Sequence, residues 1–251
     1  MSAIVTLAMG QHEAYLPLIT PSLREYGRRY GYDLVIHTES ADESRPPAWS
    51  KVKFLLDALV THREVIWIDS DAIVLDMSRD LRKDVARKTD FAWVVHHYDD
   101  ADYPNSGVMF LRSTPATIAL LNAVYAQEDL IEHPWWEQAA LIRLLGYSSS
   151  IVDEGLAQPA MDVRVQHLDA SWNSIRQDRG TPMRVRHFAG DSPELRAIGM
   201  AELVFSHPGL DSVPEIESAR NAAKRLLGRT QRKIREARRV AHEHRNQNDP
   251  N

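Results

Sequence analysis

Runs of apolar residues alternate with amphipathic stretches through the first half of the chain. Residues 3–9 (Ala-Ile-Val-Thr-Leu-Ala-Met) read as a buried strand. Over 13–30, Tyr15, Leu16, Ile19, Leu23, Tyr26 and Tyr30 recur at helical spacing, with Pro17 and Pro21 predicting a late or kinked start. Gly31 ends that helix, and residues 33–37 read as a second strand. After a polar loop with Pro46-Pro47, a helix is expected over about 49–62, then a short apolar strand at Val65–Ile68. Strands separated by helices of this length predict right-handed crossovers and a mostly parallel sheet. Such sheets bind ligands beyond the carboxyl ends of their strands, so the chemistry to look for lies there.

Further strands are expected at 91–95 and 107–111, with Asn105-Ser106-Gly107 read as the turn leading into the second. Helices are expected at 115–127 and 135–145, and short strands at 163–167 and 183–188. A last helical pattern runs from about 214 to 245, with Ile216, Ala219, Ala223, Leu226, Ile234, Ala237 and Ala241 as its apolar positions. No internal repeat is visible.

The end of the third strand carries Asp69-Ser70-Asp71. Two carboxylates at i and i+2, where the chain leaves a buried strand, supply hard oxygen ligands suited to Mg²⁺ or Mn²⁺. Cations held this way keep positions open for substrate phosphates. On the residues alone, solvated loop aspartates are the competing reading. So is a haloacid-dehalogenase-type phosphatase, with Asp69 as nucleophile. That class expects Thr two places after the second Asp and its pair on the first strand. Here Ile73 stands in that place and two strand–helix units come first. Between the two enzyme classes, a nucleotide-sugar glycosyltransferase is the better fit.

Several blocks in order then resemble glycosyltransferase family 34, which contains α-galactosyl-, α-mannosyl- and xyloglucan α-xylosyltransferases. They are residues 26–32, Trp49-Ser50-Lys51, residues 67–72, residues 105–112, Trp135-Trp136-Glu137-Gln138, Trp172-Asn173-Ser174 and His187-Phe188-Ala189-Gly190. The resemblance covers about residues 1–190. It implies a GT-A fold, α/β and Rossmann-like with helices flanking the sheet. It also implies metal-dependent, anomer-retaining transfer from a UDP- or GDP-sugar to an acceptor hydroxyl. Asp69, Asp71 and His187 become the metal ligands. Lys51, Ser70, Ser106, Gly107 and Gly190 become donor-binding positions, with Gly190 letting backbone approach a phosphate. Glu137, Gln138 and Asn105 become the catalytic group. The family's usual Asp-Gln reads Glu137-Gln138 here, one methylene longer, which leaves a covalent step at Glu137 open. Trp135 and Trp136 are candidate sugar-stacking rings. Asn173 is a further candidate contact, and His96 and His97 end a strand near the expected cleft. Asp76, Asp99, Asp100 and Asp102 read as mostly solvated loop acids.

Composition sharpens this picture in two places. The 251 residues contain no cysteine, which removes disulfides, thiolate metal sites and cysteine nucleophiles. The net charge of −5 divides into a body at −12 over residues 1–218 and a basic end at +7 over 219–251. A GT-A domain over 1–212 followed by a basic helical arm over 213–251 is therefore expected. That arm reads first as a solvated helix packed on the body through Ile216, Leu226 and Leu227; a membrane surface or protein partner is the next candidate, and nucleic acid a lesser one. A non-catalytic sugar-nucleotide-binding or scaffold protein is the third functional class in view. The apolar start lacks a basic flank and is too short for a leader or a span, so a cytoplasmic enzyme is expected.

Overall fold

The computed structural model describes residues 1–98, 101–147, 160–178 and 182–247, and side chains through residue 239. Asp99, Asp100 and Ala241's side chain lie outside the described set. The chain opens with β1 (Ser2–Leu7), a 3₁₀ segment (Gly10–Tyr15) and α1 (Leu16–Tyr30). Pro17 thus falls in the first turn of α1, where its missing N–H costs nothing, and Pro21 is tolerated one turn later. Gly31 ends α1 at φ 71°, a conformation that glycine adopts freely.

Next come β2 (Tyr32–His37), a 3₁₀ turn at Pro47–Trp49, α2 (Ser50–Thr61), β3 (Glu64–Ile68) and β4 (Ala72–Val74). They are followed by β5 (Phe91–Tyr98), β6 (Ala101–Arg112), α3 (Pro115–Tyr125) and α4 (Trp136–Leu144). The last elements are β7 (Val165–Leu168), a 3₁₀ turn at Ala170–Asn173, β8 (Val185–His187), α5 (Pro193–Ser206) and α6 (Ile216–Gln247).

The main sheet has the order β2-β1-β3-β6-β5-β7. β1 pairs in parallel with β2 and β3, and β5 with β7, while β6 runs antiparallel to both its neighbours. One strand therefore opposes the direction of the rest, and the sheet is mostly parallel. Side-chain alternation gives it two apolar faces. Ile4, Ile66, Val94 and Phe110 face the core shared with α1, α5 and α6. Val5, Val65, Trp67, Trp93 and Met109 face the core shared with α2, α3 and α4.

Two features of the backbone depart from the sequence reading, and both build the site. Asn105-Ser106-Gly107 is not a turn before a strand but lies within β6. The register jumps there from Trp93↔Met109 to Val94↔Asn105, leaving Ser106, Gly107 and Val108 without partners on β5. The local turn propensity is expressed as a bulge, which re-aims side chains in mid-strand. Second, β4 and β8 form a small antiparallel ladder of their own, with Ala72 opposite His187. The N–H of Phe188 reaches the carbonyl of Asp71 at 3.1 Å, which fixes the distance between two motifs far apart in sequence.

The basic helix begins inside the core. Ile216, Ala219, Ala222, Ala223 and Leu226 of α6 are buried against α1 and α5. Of the positions read as apolar in the sequence, Ile216, Ala219, Ala223 and Leu226 supply that seam, whereas Ile234 is half-buried, Ala237 is exposed, and many of the Arg and Lys residues beyond Leu226 are exposed. Among the described residues, no helix is long and apolar enough to cross a membrane.

Candidate active site

Asp69 and Asp71 leave the carboxyl end of β3, and His187 arrives on β8 beside them. His187 Nε2 stands 3.2 Å from Asp71 Oδ1 and 3.7 Å from Asp69 Oδ2. One ligand atom from each of the three residues falls within 4.8 Å of the others. Adjacent ligands on an octahedral cation with bonds of ~2.1 Å sit ~3 Å apart, so the set matches Mg²⁺ or Mn²⁺ without large movement.

The opposite oxygen of each carboxylate is already engaged. Asp69 Oδ1 accepts the Trp67 indole N–H at 2.6 Å and faces the Lys51 ammonium at 3.1 Å. Asp71 Oδ2 is 3.0 Å from Arg196 Nε. Burial raises the Asp71 carboxyl, but the positive charge that His187 carries when protonated, together with the Arg196 guanidinium, outweighs it and holds the group well below the usual carboxylate range.

A chain of hydrogen bonds fixes the proton on His187. The backbone N–H of Gly107 can only donate, so the Asn105 atom it meets at 2.9 Å is the carboxamide oxygen. That oxygen also accepts from Asn173 Nδ2 at 2.8 Å. Asn173 therefore turns its oxygen to His187 Nδ1, at 2.9 Å, and Nδ1 carries the hydrogen. In the neutral ring Nε2 then presents a lone pair to the carboxylates, the tautomer a metal ligand needs. Gly107 is required by the same packing, because a Cβ there would lie 2.2 Å from His187 Cε1.

Behind Asp69 lies a buried charge cluster. Lys51 Nζ is 2.7 Å from Glu137 Oε1 and also donates to the carbonyl and hydroxyl oxygens of Ser106 at 3.3 and 3.2 Å. The Ser106 hydroxyl donates to Glu137 Oε1 at 3.1 Å, and its N–H to Gln138 Oε1 at 2.9 Å. Lys51 and Glu137 are both buried, and the Lys51 ammonium lies 5.2 Å from the centre of the Trp67 ring. Burial pushes the Glu137 carboxyl up while Lys51 pulls it back; burial lowers the Lys51 ammonium, but Asp69 and Glu137 hold it above its ordinary value. Trp136, just before Glu137, is 41% exposed with φ at 41°. A left-handed tryptophan at the entrance to a helix is a strained feature of the kind found at functional sites.

Asp69, Asp71, His187, Lys51, Asn105, Ser106, Gly107, Glu137, Gln138 and Asn173 are thus brought together, with different partners than the sequence suggested, and the other predicted positions are not. Lys51 meets carboxylates and Ser106. Ser70 is buried and bonded to His12 Nδ1 at 3.1 Å. Gly190 has φ 72° and open space where a Cβ would stand. Trp135 packs against the second core. Asp76 pairs with Arg184, and Asp102 with His97.

Two site residues were not anticipated. His12 follows β1, at the same edge of the sheet as Asp69, and the strand-end rule was the available signal for it. Arg196 Nη1 donates to His12 Nε2 at 3.0 Å, so His12 Nδ1–H donates to Ser70. Burial lowers the His12 pKa, with Asp71 opposing and Arg196 reinforcing the shift. Arg196 lies in the first turns of α5, an element the apolar pattern did not reveal.

The sequence model of the nucleotide-diphospho-sugar transferases matches residues 46–179, just over half of the chain. Probable glycosyltransferase 7 of Oryza sativa subsp. indica is 29% identical over 123 residues, 45% of this chain and 27% of that protein. Xyloglucan 6-xylosyltransferase 4 of Arabidopsis thaliana is 28% identical over 109 residues, 39% of this chain and 21% of that protein. The matched stretch therefore spans about a quarter of the length of these curated relatives.

Among solved structures, a glycosyltransferase involved in glycosylation of the major capsid of PBCV-1 superposes with TM-score 0.60. It is 17% identical, over 80% of this chain and 99% of that one. The apo form of the glycosyltransferase GlyE of Streptococcus pneumoniae TIGR4 gives TM-score 0.50 at 13% identity, over 93% and 64% of the two chains. These likenesses establish the GT-A fold.

Proposed function

The chain belongs to the nucleotide-diphospho-sugar transferase family, and on that premise we propose that it is a metal-dependent glycosyltransferase. Its donor is a UDP- or GDP-sugar, its acceptor a hydroxyl group, and its product an α linkage formed with retention. The observation that carries the reading is the convergence of Asp69 Oδ2, Asp71 Oδ1 and His187 Nε2 on one point at the carboxyl edge of the sheet. Bound there, Mn²⁺ or Mg²⁺ supplies charge neutralisation for the departing nucleoside diphosphate.

The protein's own groups do the rest. Trp67, Lys51 and Arg196 hold the outer carboxylate oxygens, so each aspartate presents one fixed ligand atom. Asn173 and Asn105 keep His187 in the ligating tautomer. Glu137, with Gln138 beside it, shares the Lys51 ammonium with Asp69. A carboxylate fixed in advance opposes the positive charge that develops at the anomeric carbon, and the fixed geometry avoids reorganisation during reaction. Lys51 and Ser106 supply that fixation at Oε1. The family match favours this transferase over the phosphatase alternative, which also lacks its expected Thr at Ile73.

Incubation with Mn²⁺ and a panel of UDP-, GDP- and TDP-sugars tests the reading. One nucleotide sugar is expected to be consumed in a metal-dependent manner, with an α-linked product or α-sugar released. Phosphate release from phosphomonoesters with no nucleotide preference would overturn it. A β product from an α-linked donor would overturn retention alone.

A further inference from the structure

His96 lies on β5, two residues past Val94, whose partner across the bulge is Asn105. Alternation along β5 puts Ala92, Val94 and His96 on one face, and the first two join the core that includes Trp172 and Val185. These flank Asn173 and His187. His96 is 2% exposed, and its Nδ1 is 3.2 Å from Asp178 Oδ1. The same oxygen accepts the Tyr98 hydroxyl, and Asp178 Oδ2 accepts the Ile175 N–H at 2.8 Å.

Asp178 is thus a nearly buried carboxylate shared between this ring, the Tyr98 hydroxyl and the Ile175 N–H. A carboxylate accepts, so Nδ1 carries the hydrogen, and burial keeps the ring neutral by lowering its pKa against the pull of Asp178. Nε2 is left as a lone-pair acceptor. Among the described residues it is one of two buried side-chain polar atoms with no hydrogen-bond partner.

The segment Asn173–Asp178 therefore does the same thing twice. Its first residue takes the Nδ1 proton of His187 and its last takes that of His96. Both rings are left with Nε2 as an acceptor, and only that of His187 meets a group on the protein. An unpaired buried acceptor is costly to keep, and a carboxylate buried to hold it in place adds to that cost. The cost is recovered when a ligand donates to it.

We propose that His96 Nε2 accepts a hydrogen bond from a sugar hydroxyl in the active cleft, with Asp178 and Tyr98 as its positioning residues. The ligand chemistry follows from the reading above, on which this inference rests. A neutral acceptor near the carboxyl end of β5 suits a hydroxyl donor and gives nothing to a diphosphate. A site that pairs a buried polar group with a substrate hydroxyl rejects the deoxy analogue strongly. The hydroxyl belongs to the transferred sugar or to the acceptor.

Imidazole ¹⁵N NMR of the full chain in Mg²⁺ separates the cases. UDP or GDP alone is expected to leave the His96 Nε2 resonance in place, while the matching nucleotide sugar shifts it upfield. A shift produced by simple methyl glycosides, and not by nucleotide sugars, assigns the hydroxyl to the acceptor. His96→Phe is expected to weaken the ligand that causes the shift about tenfold and to leave nucleoside diphosphate binding unchanged. Wild-type protein that binds nucleotide sugars while Nε2 stays unmoved by every probe overturns this inference and spares the transferase reading. Wild-type protein that binds no nucleotide sugar overturns both.

Discussion

Asn173 accepts the Nδ1 proton of His187 at 2.9 Å, and its own amide is pinned by Asn105. The ring's metal-facing nitrogen is thereby set by a hydrogen bond on its far side. Outer partners of this kind typically change metal affinity by ~10–100-fold when removed. Asn173→Ala is expected to weaken Mn²⁺ binding within that range while the fold persists, as read by calorimetric titration and circular dichroism. Unchanged affinity would remove Asn173 from the site.

Gly107 has no room for a side chain. A Cβ would meet His187 Cε1 at 2.2 Å and Asn105 Oδ1 at 2.9 Å. Gly107→Ala must push His187 off its position, at the ~1–3 kcal/mol usual for an overpacked core. A lowered melting temperature together with weakened Mn²⁺ binding is expected. A stable variant with wild-type metal affinity would show that the ring moves freely.

Lys51 and Glu137 form a buried ion pair at 2.7 Å, and removing one partner strands the other. Lys51→Met is expected to cost about 3–5 kcal/mol in urea unfolding. The double variant Lys51→Met/Glu137→Gln should recover much of that loss, since no ion remains buried alone. Additive losses would indicate that the two act separately.

Much of this was legible in the sequence because it lies at strand ends. Asp69-Ser70-Asp71 follows an apolar run that only a buried strand explains, and the block order from Trp49 to Gly190 pointed to the fold. The partners of those residues were not legible. Lys51 resembles any surface lysine until Glu137, 86 positions later in numbering, is folded against it. Asn105-Ser106-Gly107 has turn propensity, and only pairing with both β3 and β5 makes it a bulge. Arg196 and His12 belong to no motif and meet across 184 positions, through α5 and the loop after β1.

Glu25 provides a pH test away from the cleft. It is buried on α1, where Arg28 donates to it at 2.8 and 2.9 Å and Arg29 adds a second guanidinium. Those hydrogen bonds depress its carboxyl from 4.5 to about 2. A depressed carboxyl stabilises the fold above its unfolded value, and that contribution fades as pH falls through the folded one. Glu25→Gln is therefore expected to destabilise most above pH 4.5 and progressively less toward pH 2 in urea unfolding. A penalty independent of pH would assign Glu25 a packing role instead.

Calorimetric titration of nucleoside diphosphate into the protein, with and without Mn²⁺, tests the convergence of Asp69, Asp71 and His187 most directly. The account predicts binding that requires the metal in the wild type and is lost in Asp71→Asn. Equal affinity in both proteins, indifferent to Mn²⁺, would contradict it.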